Sequence, residues 1–138
     1  MAHIINLINK VEFIEAHHLV QCDVIHERGV LFNVEQLFTE IPLKKQAQAK
    51  ISEKIENGEH VFTTEVVVSL LHPFRADGRR LCFRLTAVGG CQYLVGLSDA
   101  PFPVVTCDES FPASPTGKQV PVLKVTWTAL TPMLIVLD

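Results

Sequence analysis

The sequence predicts a mainly β protein: an antiparallel sandwich or partly closed barrel of about eight strands, with a long hairpin around residues 46–71. Three observations predict it. Apolar and polar residues alternate on both sides of Asn57-Gly58, turn signals recur at short intervals, and no segment has the sustained apolar period of a long helix. We expect the whole chain, residues 1–138, to form a single β domain.

The hairpin is the strongest local signal, because Asn57-Gly58 supplies the two positive-φ residues that a two-residue hairpin turn requires. The turn fixes the register outward from itself, so that Ala49 faces Val66 on one side of the sheet and Lys50 faces Glu65 on the other. Apolar pairs on one face and opposed charges on the other suit a half-buried sheet. Since these strands are longer than usual, we also expect a bend or bulge in them.

Two segments have a helical alternative, which ranks second to a strand at residues 44–54 and to coil or strand at residues 34–38. Residues 44–54 have high helix propensity, and a short helix around Val34–Phe38 could be capped by Asn33. Residues 73–79 and 110–118 are rich in Pro, Gly, Asp and Ser and predict loops. Further short strands are predicted at residues 11–14, 19–25, 30–32, 37–41, 80–88, 92–97, 104–107, 119–130 and 133–137.

Composition limits the classes of function. The chain is 48% hydrophobic, which predicts either a large core or an apolar surface that a partner covers. A net charge of −3 argues against general nucleic-acid binding. No apolar run approaches the roughly 18 residues of a membrane helix, and the first residues lack the pattern of a signal peptide. We therefore expect no nucleic-acid or membrane partner and a cytoplasmic location.

Charge is distributed unevenly along the chain. Residues 1–40 hold six acids and two bases, residues 41–84 hold five acids and eight bases, and residues 85–138 hold four acids and two bases. A basic middle between acidic ends allows head-to-tail contacts between copies of the chain. The alternative is a mixed, solvated surface.

No catalytic motif is present, and we predict that the chain is not an enzyme and has no catalytic, cofactor-binding or metal-binding residues. It lacks GxSxG, HExxH, P-loop and GxGxxG patterns. The most metal-like spacing joins His18, Cys22 and His26, with His17 adjacent. Strand geometry would hold these ligands too far apart for one ion, so an ordinary strand is the preferred interpretation.

Two segments are candidate partner contacts. The hairpin tip is predicted to project beyond the body and to meet another subunit; its residues are Glu56, Asn57, Gly58, Glu59 and His60. Four of the five arginines are close in sequence and could bind an anion or a protein; these are Arg75, Arg79, Arg80 and Arg84. The alternative for the arginines is a solvated surface that pairs with nearby acids.

The order of several segments resembles small structural proteins of phage and prophage virions, of the tail or neck class. The resemblance is carried by Gly29-Val-Leu-Phe, the hairpin, residues 79–104 and the closing VTWTALTPMLIVLD, and it is closer in the C-terminal part of the chain. It implies a self-assembling homo-oligomer, such as a ring, with other virion proteins as partners and a final location in the virion. It implies no catalytic or cofactor residues. The alternative function is a small β-barrel module that binds a ligand or a protein.

Overall fold

The computed structural model of the chain describes residues 2–20, 22–25, 29–110 and 120–137, with the backbone alone at residues 2–6, 109, 110 and 120. The described residues are mainly β, as the sequence predicts, but they form eleven strands instead of about eight. The strands are β1 (Ala2–Glu15), β2 (Cys22–Ile25), β3 (Gly29–Phe32), β4 (Thr39–Ile41), β5 (Ala47–Glu56), β6 (Glu59–Ser69), β7 (Leu81–Ala87), β8 (Gln92–Val95), β9 (Val104–Ser110), β10 (Val120–Ala129) and β11 (Leu134–Leu137). A 3-10 turn at Ala16–His18 follows β1.

The long hairpin has the predicted register. β5 and β6 pair from Gln48 opposite Val67 down to the residues that flank the turn, and the ladder has no shift. Asn57 and Gly58 have φ angles of 50° and 81°, which is the positive region that the turn requires. The helical alternative for residues 44–54 is therefore wrong, and so is the expected bulge in this hairpin.

The bulge lies instead in β1, the longest strand. Leu7 has a φ of 62°, and the pairing of β1 shifts register on both sides of Ile8. One side of β1 pairs with β5 and then with β4, while the other side pairs with β7. Only residues 11–14 of this strand are predicted from sequence, because the bulge interrupts the alternation that marks a strand.

All the strands belong to one open, mixed sheet. Its order is β2-β3-β11-β8-β7-β1-β5-β6-β10-β9, with β4 paired to β1 beside this path. The expected antiparallel sandwich or partly closed barrel is only roughly matched, since the strands form one open sheet and β11 runs parallel to β3. The outer edges of β2 and β9 have no strand partner among the described residues.

The described residues form two hydrophobic cores, which lie on opposite sides of β7. Phe83 points into the first core and Cys82 into the second, because neighbouring side chains of a strand point to opposite faces. The first core also holds Val95 of β8 and Trp127 of β10, although four strands separate β8 from β10 in the sheet. The sheet must therefore curl around the first core. Leu19 and the segment before β4 help to cover the second.

The connections differ partly from expectation. Residues 73–79 form a loop, as predicted, with a turn at Asp77 and Gly78. The helical alternative at Val34–Phe38 is wrong, and the preferred interpretation as coil is confirmed, with a bend at Asn33 and Val34. The predicted loop at 110–118 falls, apart from the strand residue Ser110, outside the described residues.

Candidate functional site

Residues 53–60 are exposed on both faces of the ribbon and form the hairpin tip, which is three residues longer than the predicted Glu56–His60. The ladder between β1 and β5 ends at Ser52, and the ladder between β10 and β6 ends at Phe62. Beyond these residues, neither outer edge of the ribbon pairs with another described strand. The tip therefore extends past its neighbours in the sheet, as the sequence predicts, while its contact with another subunit stays a prediction.

The tip combines one apolar side chain with several charged ones. Ile55 is 66% exposed and lies opposite His60 in the ladder. His60 Nδ1 lies 2.6 Å from Glu53 Oε1, and Lys54 Nζ lies 2.8 Å from Glu56 Oε1. An apolar centre with a charged rim is the common composition of a protein–protein contact.

The predicted arginine group does not form one free surface. Arg79 donates hydrogen bonds to the carbonyl oxygens of Ala76 and Arg75, at 2.9 and 3.0 Å, and so closes the loop before β7. The guanidinium of Arg80 lies 4.8 Å from the centre of the Phe102 ring. Arg75, Arg79 and Arg80 are exposed, so they remain available at the surface.

Arg84 has a different role from the other three arginines. It forms a bidentate ion pair with Glu12, in which Nε lies 3.0 Å from Oε1 and Nη2 lies 2.9 Å from Oε2. Its guanidinium also lies 4.2 Å from the centre of the Phe38 ring. Glu12 is 5% exposed, so this pair is part of the packed structure. A surface anion or partner patch can therefore include only the other three.

A groove lies between the 74–78 loop and the edge strand β9. It has a volume of about 560 Å³, and its lining includes Arg75, Val105 and Cys107. On the outer edge of β9, the backbone has no strand partner among the described residues. A free edge beside a groove is a site at which an additional strand can pair.

The structure shows a potential metal-binding cluster that differs from the His18, Cys22 and His26 set suggested by the sequence. Cys22 lies in β2 and is half-buried beside the second core, and His26 lies outside the described residues. His17 and His18 instead converge on Glu15, with one potential ligand atom of each residue within 4.8 Å of the others. Sequence reasoning missed Glu15, although its closeness to the His17-His18 pair in sequence was the available signal.

The thiols differ in accessibility and in acidity. Burial raises the pKa of Cys82 to about 12, with a smaller contribution from Cys22 beside it. The Cys82 thiol lies 3.4 Å from the carbonyl oxygen of Leu97, to which it donates. Burial also raises the pKa of Cys22, whereas Cys91 is exposed. Since the thiolate is the reactive form, Cys82 has the environment of an inert packing residue.

We expect a thiol reagent at neutral pH to modify Cys91 and to leave Cys82 unmodified until the chain is unfolded in denaturant. The pKa of Cys82 is higher in the folded protein than in the unfolded chain, so its contribution to stability is present below the usual thiol pKa and is lost as pH rises towards about 12. Mass spectrometry of labelled peptides measures how far each of the two cysteines is modified. Modification of Cys82 as fast as Cys91 in the native protein would contradict its burial.

Comparison with protein-family models, with curated proteins and with solved structures found no match to this chain. Among the residues that the structure describes, no helix has the length and apolar character needed to cross a membrane. The chemistry and geometry of the described surfaces are therefore the basis for inferring function.

Proposed function

We propose that the chain is a self-assembling structural subunit, of the tail or neck class of phage and prophage proteins that its sequence resembles. The observation that carries this proposal is the hairpin tip. A two-stranded ribbon without packed neighbours is marginally stable in water, and ordering it costs conformational entropy. A second subunit that covers Ile55 and pairs with the free edges would offset that cost.

The edge strand β9 supports the same function. It is seven residues long, and its outer edge has no strand partner among the described residues. Monomeric proteins usually protect such edges, because an exposed edge pairs with other strands. Two different contact surfaces on one chain, the tip and the β9 edge, produce head-to-tail association, which closes into a ring when the rotation between subunits permits.

Both regions carry charges of both signs. The tip carries Glu53, Glu56 and Glu59 with Lys54, and the charged residues that line the β9 groove are Arg75, Asp77 and Asp108. A contact between neighbouring subunits that pairs Arg75 with an acid of the tip and Lys54 with an acid of the groove would favour one orientation of the subunits. In this proposal the homo-oligomer is the functional form, and other virion proteins are its further partners.

We expect the wild-type chain to form an oligomer whose mass rises with concentration, and Ile55→Glu to shift it towards the monomer. The substitution places a charge at the apolar centre of the tip contact, while the side chain is 66% exposed and contributes little to the fold. Sedimentation velocity over a concentration series measures the mass. Thermal unfolding in parallel shows that the variant remains folded.

Val88→Glu is the matched control, because Val88 is also exposed, at 52%, but lies in the turn after β7. Gly58→Val is a second test: it forces a β-branched residue into a φ of 81° and should cost about 1–2 kcal/mol as well as disturbing assembly. A wild-type chain that stays monomeric at high concentration, or an Ile55→Glu variant that assembles normally, would contradict the proposal.

The alternative function is a small module that binds a ligand or a peptide. The groove between the 74–78 loop and β9 is the feature that favours it, because an extended peptide could pair with the edge of β9 there. This alternative predicts a monomer in which ligand contacts lie at Val105 and Cys107, whereas the assembly proposal predicts an oligomer without added ligand.

A further inference from the structure

We propose that Glu15, His17 and His18 form a binding site for a divalent transition-metal ion, with Zn²⁺ as the best-suited ion. Glu15 is the last residue of β1, and the two histidines belong to the 3-10 turn that follows it. Glu15 Oε2 lies 3.9 Å from His17 Nε2 and 3.6 Å from His18 Nδ1. This proposal departs from the sequence-based expectation of no metal and is independent of the assembly function.

The distances between these atoms are close to those that a bound zinc ion requires. Zinc binds imidazole nitrogen and carboxylate oxygen at about 2.0–2.2 Å, so neighbouring ligand atoms of a tetrahedral site are about 3.3–3.5 Å apart. The two measured distances, 3.6 and 3.9 Å, exceed this by a few tenths of an ångström, which a small side-chain rotation removes. Both are too long for a hydrogen bond but within ion-pair range, and the ligand nitrogens of the two imidazoles lie within 4.8 Å of each other.

The donor set narrows the choice of ion. Two imidazoles with one carboxylate suit Zn²⁺ and its neighbours Ni²⁺ and Cu²⁺, whereas Mg²⁺ and Ca²⁺ prefer oxygen ligands throughout. Three protein ligands leave one tetrahedral position for water or for a group from outside the cluster. Glu35 lines the same depression as His17 and His18, and its carboxylate is a candidate to orient a ligand or the metal-bound water.

The backbone that carries the three ligands is held in place. Ala16 N–H donates to the carbonyl oxygen of Arg80 at 2.7 Å, and Leu19 N–H donates to that of Ala16 at 3.2 Å. Ala16 and Leu19 are each 2% exposed, so the turn is anchored by buried side chains on both sides of the histidines. A preorganised backbone reduces the ordering cost of binding an ion.

The walls beside the cluster are also fixed. Val20 N–H donates to Gln36 Oε1 at 3.3 Å, and Gln36 Nε2 donates to the carbonyl oxygen of Val20, which ties the segment before β4 to the chain that follows the turn. Ile14 and Leu37 add apolar surface to the same depression.

Zinc binding to the chelator-treated full chain tests the proposal. We expect isothermal titration calorimetry to give one Zn²⁺ per chain, and Co²⁺ in its place to show the intense visible absorption of tetrahedral coordination. Each of His17→Ala, His18→Ala and Glu15→Gln should weaken binding by about tenfold or more. At the same zinc concentration, the melting temperature of the wild-type chain should rise more than that of these variants.

His60→Ala is the matched control, because His60 also pairs with a glutamate, Glu53, and is exposed at the hairpin tip. It should bind Zn²⁺ as the wild-type chain does. The affected histidines are themselves largely exposed, so the metal-free variants should melt as the metal-free wild type does. Equal weakening by His60→Ala, several weak equivalents per chain, or unchanged binding in His17→Ala and His18→Ala would overturn the proposal.

Discussion

Replacing Trp127 with alanine is expected to destabilise the fold by about 3–5 kcal/mol, because it empties the centre of the first core. Trp127 is 2% exposed, and its Nε1–H donates to the carbonyl oxygen of Pro101 at 3.0 Å. The substitution removes the largest buried side chain and leaves that oxygen without its indole donor. Given a typical total stability of about 5–15 kcal/mol, the variant should melt about 10 °C lower or more.

Urea unfolding followed by far-ultraviolet circular dichroism measures this effect, since Trp127 is the only tryptophan and the variant loses its fluorescence. Trp127→Phe should show an intermediate loss, because it retains a buried ring but not the hydrogen bond. Leu130→Ala is the control: Leu130 follows the same strand and is 63% exposed, so the change should stay within about 0.5 kcal/mol. Equal losses for Trp127→Ala and Leu130→Ala would contradict the packing described here.

The second large effect is expected at the ion pair of Glu12 and Arg84. Arg84→Met should cost about 3–5 kcal/mol, because it leaves the Glu12 carboxylate buried without its bidentate partner. Only 7% of the Glu12 side chain and 20% of the Arg84 side chain are exposed. Lys10 Nζ lies 3.9 Å from Glu12 Oε2 and offsets only part of the loss, since it does not supply the paired hydrogen bonds.

A double-mutant cycle separates the interaction energy of the Glu12–Arg84 pair from the cost of leaving one charge buried alone. Glu12→Met combined with Arg84→Met should recover most of the stability lost in Arg84→Met, because no isolated charge remains. Lys124→Met is the control, since Lys124 forms a half-exposed ion pair with Glu65 and should contribute about 0.5 kcal/mol or less. An Arg84→Met loss no larger than that of Lys124→Met would show that the buried pair is not needed for stability.

The sequence predicts best those parts of the fold that are determined by residues close together in the chain. The hairpin register followed from Asn57-Gly58 and from the alternation of its strands, and the structure has the pairing of Ala49 with Val66 that was predicted. The early part of β1 was missed because the bulge at Leu7 breaks the alternation. The parallel pairing of β3 with β11 has no local signal, since partners distant in sequence are chosen by packing.

The candidate sites, too, can be predicted from sequence only where residues close together in the chain determine them. Exposure of the tip could be inferred from sequence, because the hairpin strands are longer than the usual five or six residues and a chain of 138 residues has little structure with which to cover them. The ion pair between Glu12 and Arg84 could not be, because the two residues are 72 positions apart. The cluster at Glu15, His17 and His18 has no regular four-residue spacing in the sequence; it forms because a 3-10 turn aligns residues three apart, such as Glu15 and His18.

The position of β11 determines when this protein can finish folding during its synthesis. β11 lies between β8 and β3 and is the link through which the β2–β3 hairpin joins the rest of the sheet. A nascent chain that has not yet reached Leu137 therefore carries a two-stranded hairpin without its neighbour, which is marginal in water. Final folding must then follow synthesis of this strand, and the β2–β3 edge is exposed to chaperones and to aggregation until it arrives.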